Sequence, residues 1–209
     1  MLNQWGEDRR LVEAFPTKEL PQDHPLKAFA NFELNDGLVI DCHFAERSFA
    51  VTVEHLKIGS LAYAVMEEPL TSTELAFPVT LEFLDVREIR VVQQREIGNY
   101  RVLRSSLNGL LKALFDVIAI RCVGFGSGTT MFALEFHGRR IIRTPDASYA
   151  NEISILLECG GVAVQEDLDG RWRELVGSDS LRILHAYRRN PEVLWAANDF
   201  HRFVETHLP

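Results

Sequence analysis

An α+β fold is predicted: a β-rich body of antiparallel hairpins with helices packed at its C-terminal end. Three observations carry that prediction. Apolar residues alternate with period two in "LVIDCHF", "FAVTV" and "PVTLEFL". A glycine-rich stretch, "CVGFGSGTTMFALEFHG", is followed by alternation and not by a helical pattern. The last thirty residues switch to three- and four-residue apolar spacing.

Taken in order, residues 1–30 read as an entry segment. "WGEDRRLVEAF" suits a short helix, and Pro16, Pro21 and Pro25 keep the following chain extended or turning. Residues 31–176 form the predicted β-rich body. Leu38, Ile40 and Cys42 alternate with Val39, Asp41 and His43, then Phe49, Val51 and Val53 with Ala50, Thr52 and Glu54, a hairpin whose bend is "AERS". Val79, Leu81 and Phe83 continue the pattern, and a change of phase before Val86, Ile89 and Val91 places a bulge or turn near Asp85. Leu107, Leu110, Leu111 and Leu114 share one helical face behind Ser105 or Ser106 as N-cap. Over 147–159, Ile153, Leu156 and Leu157 suit a helix, whereas Ile153, Ile155 and Leu157 suit a strand. Pro145 and Asp146 as a start and Gly160 as a stop favour the helix. "VAVQEDLDGRWREL" reads as a hairpin turning at Asp169-Gly170. Residues 177–209 form a helical pair, Asp179 to Arg189 and then a segment opened by Asn190-Pro191 and striped by Val193, Leu194, Ala197, Phe200 and Val204. The pair is expected to pack on the same body.

An internal echo runs through the body. Asp36, Leu38, Ile40 and Cys42 precede "FAVTV" as Asp116, Ile118, Ile120 and Cys122 precede "FALEF". A duplication and shared hairpin chemistry both account for it.

The chain has 209 residues, enough for a sizeable core, with 46% apolar and 25% charged residues, as in ordinary globular domains. No apolar run reaches membrane-spanning length, and acidic residues stand where a secretory signal has its apolar region, so no membrane association and a cytoplasmic location are expected. Three widely spaced cysteines (Cys42, Cys122, Cys159) fit a reducing compartment. The net charge of −8 is concentrated. Residues 33–85 hold ten acids against Arg47 and Lys57, while the other 156 residues balance. Such a segment repels phosphates, so nucleic acid is not its expected partner. A basic protein is the expected partner, with Glu46, Glu67, Glu68 and Glu74 as partner-binding residues.

The chemistry-bearing motifs fail. A phosphate-binding glycine loop needs a helix after its glycines, so that backbone N–H groups point at the anion. Gly124, Gly126 and Gly128 precede a strand, and are read as a long hairpin loop. The seven histidines are scattered without metal-ligand spacing. Cys42 shares an apolar phase with Leu38 and Ile40, which suits a buried, inert thiol. Ser127 lacks the surroundings of a nucleophile elbow. No catalytic residues, cofactor or metal are therefore expected.

The acid-led hairpin "NDGLVIDCHF…FAVTVEHL", followed by "LEFLDVREIRV", resembles small bacterial domains in polymorphic-toxin immunity families, over roughly residues 32–95 with an echo at 114–143. The resemblance implies a cytoplasmic, non-enzymatic inhibitor that blocks a toxin domain by binding it, and carries over no functional residue. Two alternatives remain open: a small-ligand or anion-binding sensor or enzyme with a pocket between sheet and helices, His137, Arg139 and Arg143 around the anion, and a homo-oligomer.

Overall fold

The computed structural model describes residues 16–28, 34, 37–66, 76–96, 99–102, 115–143, 148–189 and 200–207. The fold is α+β, as expected, with nine strands and four α-helices among the described residues. The strands are β1 (Val39–Phe44), β2 (Ser48–Glu54), β3 (Pro78–Leu84), β4 (Glu88–Glu96), β5 (Asn99–Val102), β6 (Phe115–Gly126), β7 (Thr129–Arg143), β8 (Ser148–Cys159) and β9 (Gly161–Glu166). They make a four-stranded sheet in the order β1-β2-β3-β9 and a five-stranded sheet in the order β5-β4-β8-β7-β6. The helices are α1 (Leu56–Met66), α2 (Leu168–Leu175), α3 (Leu181–Arg189) and α4 (Phe200–His207). The chain divides into two compact units, residues 1–53 with 80–165 and residues 54–79 with 166–209.

In the first unit, alternation dictates the core. Phe49, Val51, Leu81 and Phe83 point inward from the small sheet and are fully buried. The register of the large sheet aligns Cys122, Phe132 and Leu157 in one row and Ile120, Leu134 and Ile155 in the next, all buried. Phe83 joins the two sets, lying 6.1 Å from Phe49 and 5.5 Å, edge-on, from Phe132. Each buried ring contributes about 1.5–3 kcal/mol relative to exposure. Across the small sheet Thr52 and Thr80 share a hydroxyl hydrogen bond of 2.9 Å. On the opposite face of the large sheet Val123, Ala133 and Leu156 form a smaller cluster with Met131 against it. Arg121 and Glu135 pair there at 2.6 Å, both largely buried. The entry segment is tied to that edge strand: Lys18 N donates to Cys122 O at 2.7 Å, and Arg121 donates to Thr17 Oγ1 at 3.4 Å. Leu20 and Leu26 are buried beyond it, and His24 lies 5.9 Å from Phe132.

In the second unit, His55 precedes α1 and accepts from Ile58 N through Nδ1 at 3.4 Å, capping the helix. Its ring meets Tyr187 edge-on at 6.3 Å. Helix α1 is not among the elements expected from sequence, although Ile58, Leu61 and Ala62 have helical spacing and are fully buried. Trp172 packs 6.0 Å from Phe77 and donates from Nε1 to Ser180 Oγ at 3.0 Å, which relieves the cost of burying an indole N–H. Helix α1 packs on α4, and α3 packs on both α2 and α4.

Four expectations are corrected. Residues 148–159 are strand β8 and not a helix, because both faces of the strand are covered and the apolar residues therefore run together at Ile155, Leu156 and Leu157. Asp169-Gly170 lies within α2 and is not a hairpin turn. Asp167 caps that helix by accepting from Gly170 N at 3.0 Å, and the buried pair Leu168 and Trp172 sets its inner face. Ile40 is 50% exposed and does not share the inward phase of Cys42, since a bulge between Val39 and Asp41 shifts the register. The glycine stretch is not a long loop, since β6 runs through Gly126 and only Ser127 and Gly128 turn. The expected break near Asp85 is present between β3 and β4, and the predicted helix at 179–189 is a 3-10 turn at Ser178–Ser180 running into α3. The echoed hairpins pair differently: Cys42 faces Val51, the third residue of its partner motif, whereas Cys122 faces Phe132, the first. The helices expected from "WGEDRRLVEAF" and "SSLNGLLKALF", and the Asn190-Pro191 start, lie outside the described residues.

Candidate functional site

Four turns of the first unit are hydrogen-bonded in series at one end of its sheets. The β1–β2 bend joins the β3–β4 bend, with Val86 N donating to Arg47 O at 2.9 Å and an ion pair between Arg47 and Asp85. The β3–β4 bend joins the β8–β9 turn. Gly160 N donates to Leu84 O at 3.0 Å, and Arg87 N donates to Glu158 O at 2.8 Å. The β6–β7 turn joins the same group through Thr129 Oγ1, which donates to Glu158 Oε1 at 2.6 Å.

Local sequence explains why the turns sit so close. Asp85 adopts φ of 53°, a left-handed conformation that Asp tolerates better than bulkier residues. Its side chain lies over Gly160, where an added Cβ would come within 3.1 Å of Asp85 Cβ. Gly126 leaves room for Thr129 to reach across to Glu158, since a Cβ at residue 126 would collide with Thr129 Oγ1. Gly128 has φ of 71° in open space, so its lack of a Cβ serves the turn and not a close approach.

The resulting surface is mixed. Glu46, Arg87, Phe125, Ser127 and Leu84 are exposed, with Phe125 at 54% and Leu84 at 39%. Asp85 is engaged by Arg47, Glu88 by Arg90 and Glu158 by Thr129. Rigid turns with exposed apolar and charged side chains are suited to binding another surface.

Of the sequence-derived partner residues, Glu46 is exposed at this end of the fold. Glu67, Glu68 and Glu74 lie outside the described residues. Other described members of the acidic segment, Asp85 apart, lie on strands. Asp41 is exposed on β1, and Glu82 on β3 accepts from Gln165 at 3.4 Å. His137, Arg139 and Arg143 fall on β7, with a register irregularity between Gly138 and Ile142. Sequence reasoning missed Phe125, Leu84 and the Arg47–Asp85 pair. An aromatic between two glycines was a usable signal for Phe125, while Arg47 and Asp85 meet only through the fold.

A second polar cluster lies in the other unit. His185 Nε2 and Asp169 Oδ2 are 2.9 Å apart, and Arg188 pairs with Glu166 and, at 3.4 Å, with Asp169. The hydrogen bond from His185 is the main cause that holds the Asp169 carboxyl below its usual range. The three thiols are all shifted upward by burial, Cys42 to about 12 with help from Asp41, Cys159 to about 11, and Cys122 in the same direction. Among the described residues no three His, Cys, Asp or Glu side chains are grouped to hold a metal ion. No helix among them is long and apolar enough to cross a membrane.

In comparisons with protein-family models, curated proteins and solved structures, the chain matches none of them.

Proposed function

We propose that the protein is a non-enzymatic binding protein of the cytoplasm, an immunity-type inhibitor that docks on a basic protein partner through an acidic surface. The observation that carries this reading is the confinement of the net −8 to residues 33–85, whose bends reach the hydrogen-bonded turns with Glu46 exposed. Exposed acids at the rim of an interface act mainly on the association rate, because their field steers a cationic partner before contact. The raised thiol pKa values are in keeping with a role that uses no thiolate.

The test is binding to the basic proteins encoded beside its gene, followed by surface plasmon resonance at about 50 and 300 mM salt, a range over which screening changes strongly. Reversal of Glu46, Glu67, Glu68 and Glu74 to Arg is expected to slow association about tenfold or more at low salt and to flatten its salt dependence. An unchanged association rate and salt slope in the reversed protein would remove the electrostatic basis of the proposal.

A further inference from the structure

We propose that Phe125 is the apolar anchor of this docking surface, seated in an apolar pocket of the basic partner. The inference rests on the reading above and adds the residue that holds the complex together once charge has brought it near.

The ring is more than half exposed at the end of the large sheet. Cys122, Phe132 and Leu157 make a buried row of the large sheet, and Phe125 stands in the row beyond it with Thr130 and the buried Cys159. Thr130 stands opposite it, and the ring remains 54% exposed. Its neighbours in sequence are Gly124 and Gly126. Past Gly126 only Ser127 and Gly128 remain before the chain turns back.

The mounting is stiff. Strands β6 and β7 are 12 and 15 residues long and pair up to Gly126 and Thr129. The Thr129–Glu158 bond fixes the base of the tip, and Glu158 is held in turn through Arg87 N. A ring presented on a rigid turn loses little conformational freedom on binding, which is how an aromatic becomes a dominant contact. Leu84 is exposed on the bend that Gly160 ties to β8, and Glu46 and Arg87 give the same end of the sheets a polar rim. An apolar centre within a charged rim is the anatomy of a protein interface. On the reading above, the occupant is a basic protein offering an apolar pocket, with a Lys or Arg facing Glu46.

The test begins with a photocrosslinking benzoylphenylalanine at Ser127, introduced into the full chain in its host cells. The crosslinked protein is identified, purified and bound to wild type, Phe125→Ala, Phe125→Leu and Glu46→Arg. The expected result is a basic partner whose crosslink maps to an apolar pocket. Phe125→Ala should then dissociate about 100-fold faster with an association rate within about threefold of wild type, while Phe125→Leu recovers part of the loss. Glu46→Arg should act instead on association and on its salt dependence. Thermal unfolding controls for fold, and Phe125→Ala should melt as wild type because its ring lies outside the core.

Wild-type dissociation of Phe125→Ala, or the absence of any crosslink, overturns the anchor and leaves the electrostatic proposal standing if charge reversal slows association. An acidic crosslinked partner overturns both. A crosslink between two copies of this chain, with a dimer in light scattering that Phe125→Ala abolishes, assigns the tip to self-association and overturns the anchor.

Discussion

Cys42 is only half-buried on β1, yet its thiol is pushed up to about 12, first by loss of solvent and then by the neighbouring Asp41 carboxylate. Cys159 reaches about 11 and Cys122 moves the same way, so at pH 8 little thiolate exists at any of the three. Treatment of the native protein with a disulfide reagent at about pH 8 should therefore be slower than with a free thiol at all three, by about a hundredfold or more at Cys42 and Cys159. Denaturant should release three reactive groups per chain. A rapid phase in the native state would contradict this account. The inert-thiol reading was accessible from sequence, but for a partly wrong reason. Apolar alternation placed Cys42 beside Ile40, and the bulge that turns Ile40 outward depends on pairing with β2. Glu46 was legible as an exposed acid because it sits in a polar bend. The pairing of its neighbour Arg47 with Asp85 was not, since that follows from two bends meeting across the fold.

At the scale of elements, α2 and α3 are joined on their exposed side by Asp169 with His185 and Arg188, while Glu166 at the end of β9 holds Arg188 from below. The folded pKa of Asp169 lies below that of an ordinary aspartate, chiefly through the His185 hydrogen bond. A depressed carboxylate contributes stability above its unfolded pKa, and that contribution disappears as pH falls through the folded value. Asp169→Asn is therefore expected to melt at a lower temperature than wild type at neutral pH, with the difference closing below about pH 4. Melting curves between about pH 2.5 and 7 measure it, and a difference that persists unchanged in acid would count against the ion-pair explanation. Helices α3 and α4 were readable from their three- and four-residue spacing, and hairpins from alternation. Strand β8 and helix α2 were misread for complementary reasons. Leu156 is buried on the second face of a doubly covered strand, which imitates helical periodicity. Asp169-Gly170 imitates a hairpin turn, although the cap that decides the matter is Asp167.

Across the whole molecule, sequence patterns revealed which residues go inside but not how the strands are ordered. Strand β4 pairs with β8 from Glu88↔Glu158 to Gln94↔Glu152, a partnership between distant parts of the chain that no local pattern encodes. That ordering is what leaves β6 at the margin of the large sheet, with the N-terminal Pro16–Leu20 stretch laid along it and Lys18 donating to the Cys122 carbonyl. A margin strand with free carbonyls and amides is a template on which another chain can add. Deletion of residues 16–20 would keep every strand and helix described above while uncovering that template, together with the surface on which Leu20 is buried. The shortened protein is expected to scatter light increasingly with concentration where the intact one does not, and equal scattering would mean the stretch does not guard the margin. Resistance to aggregation would then depend on a few residues that belong to no sheet, and an expression variant trimmed to the regular structure would lose it.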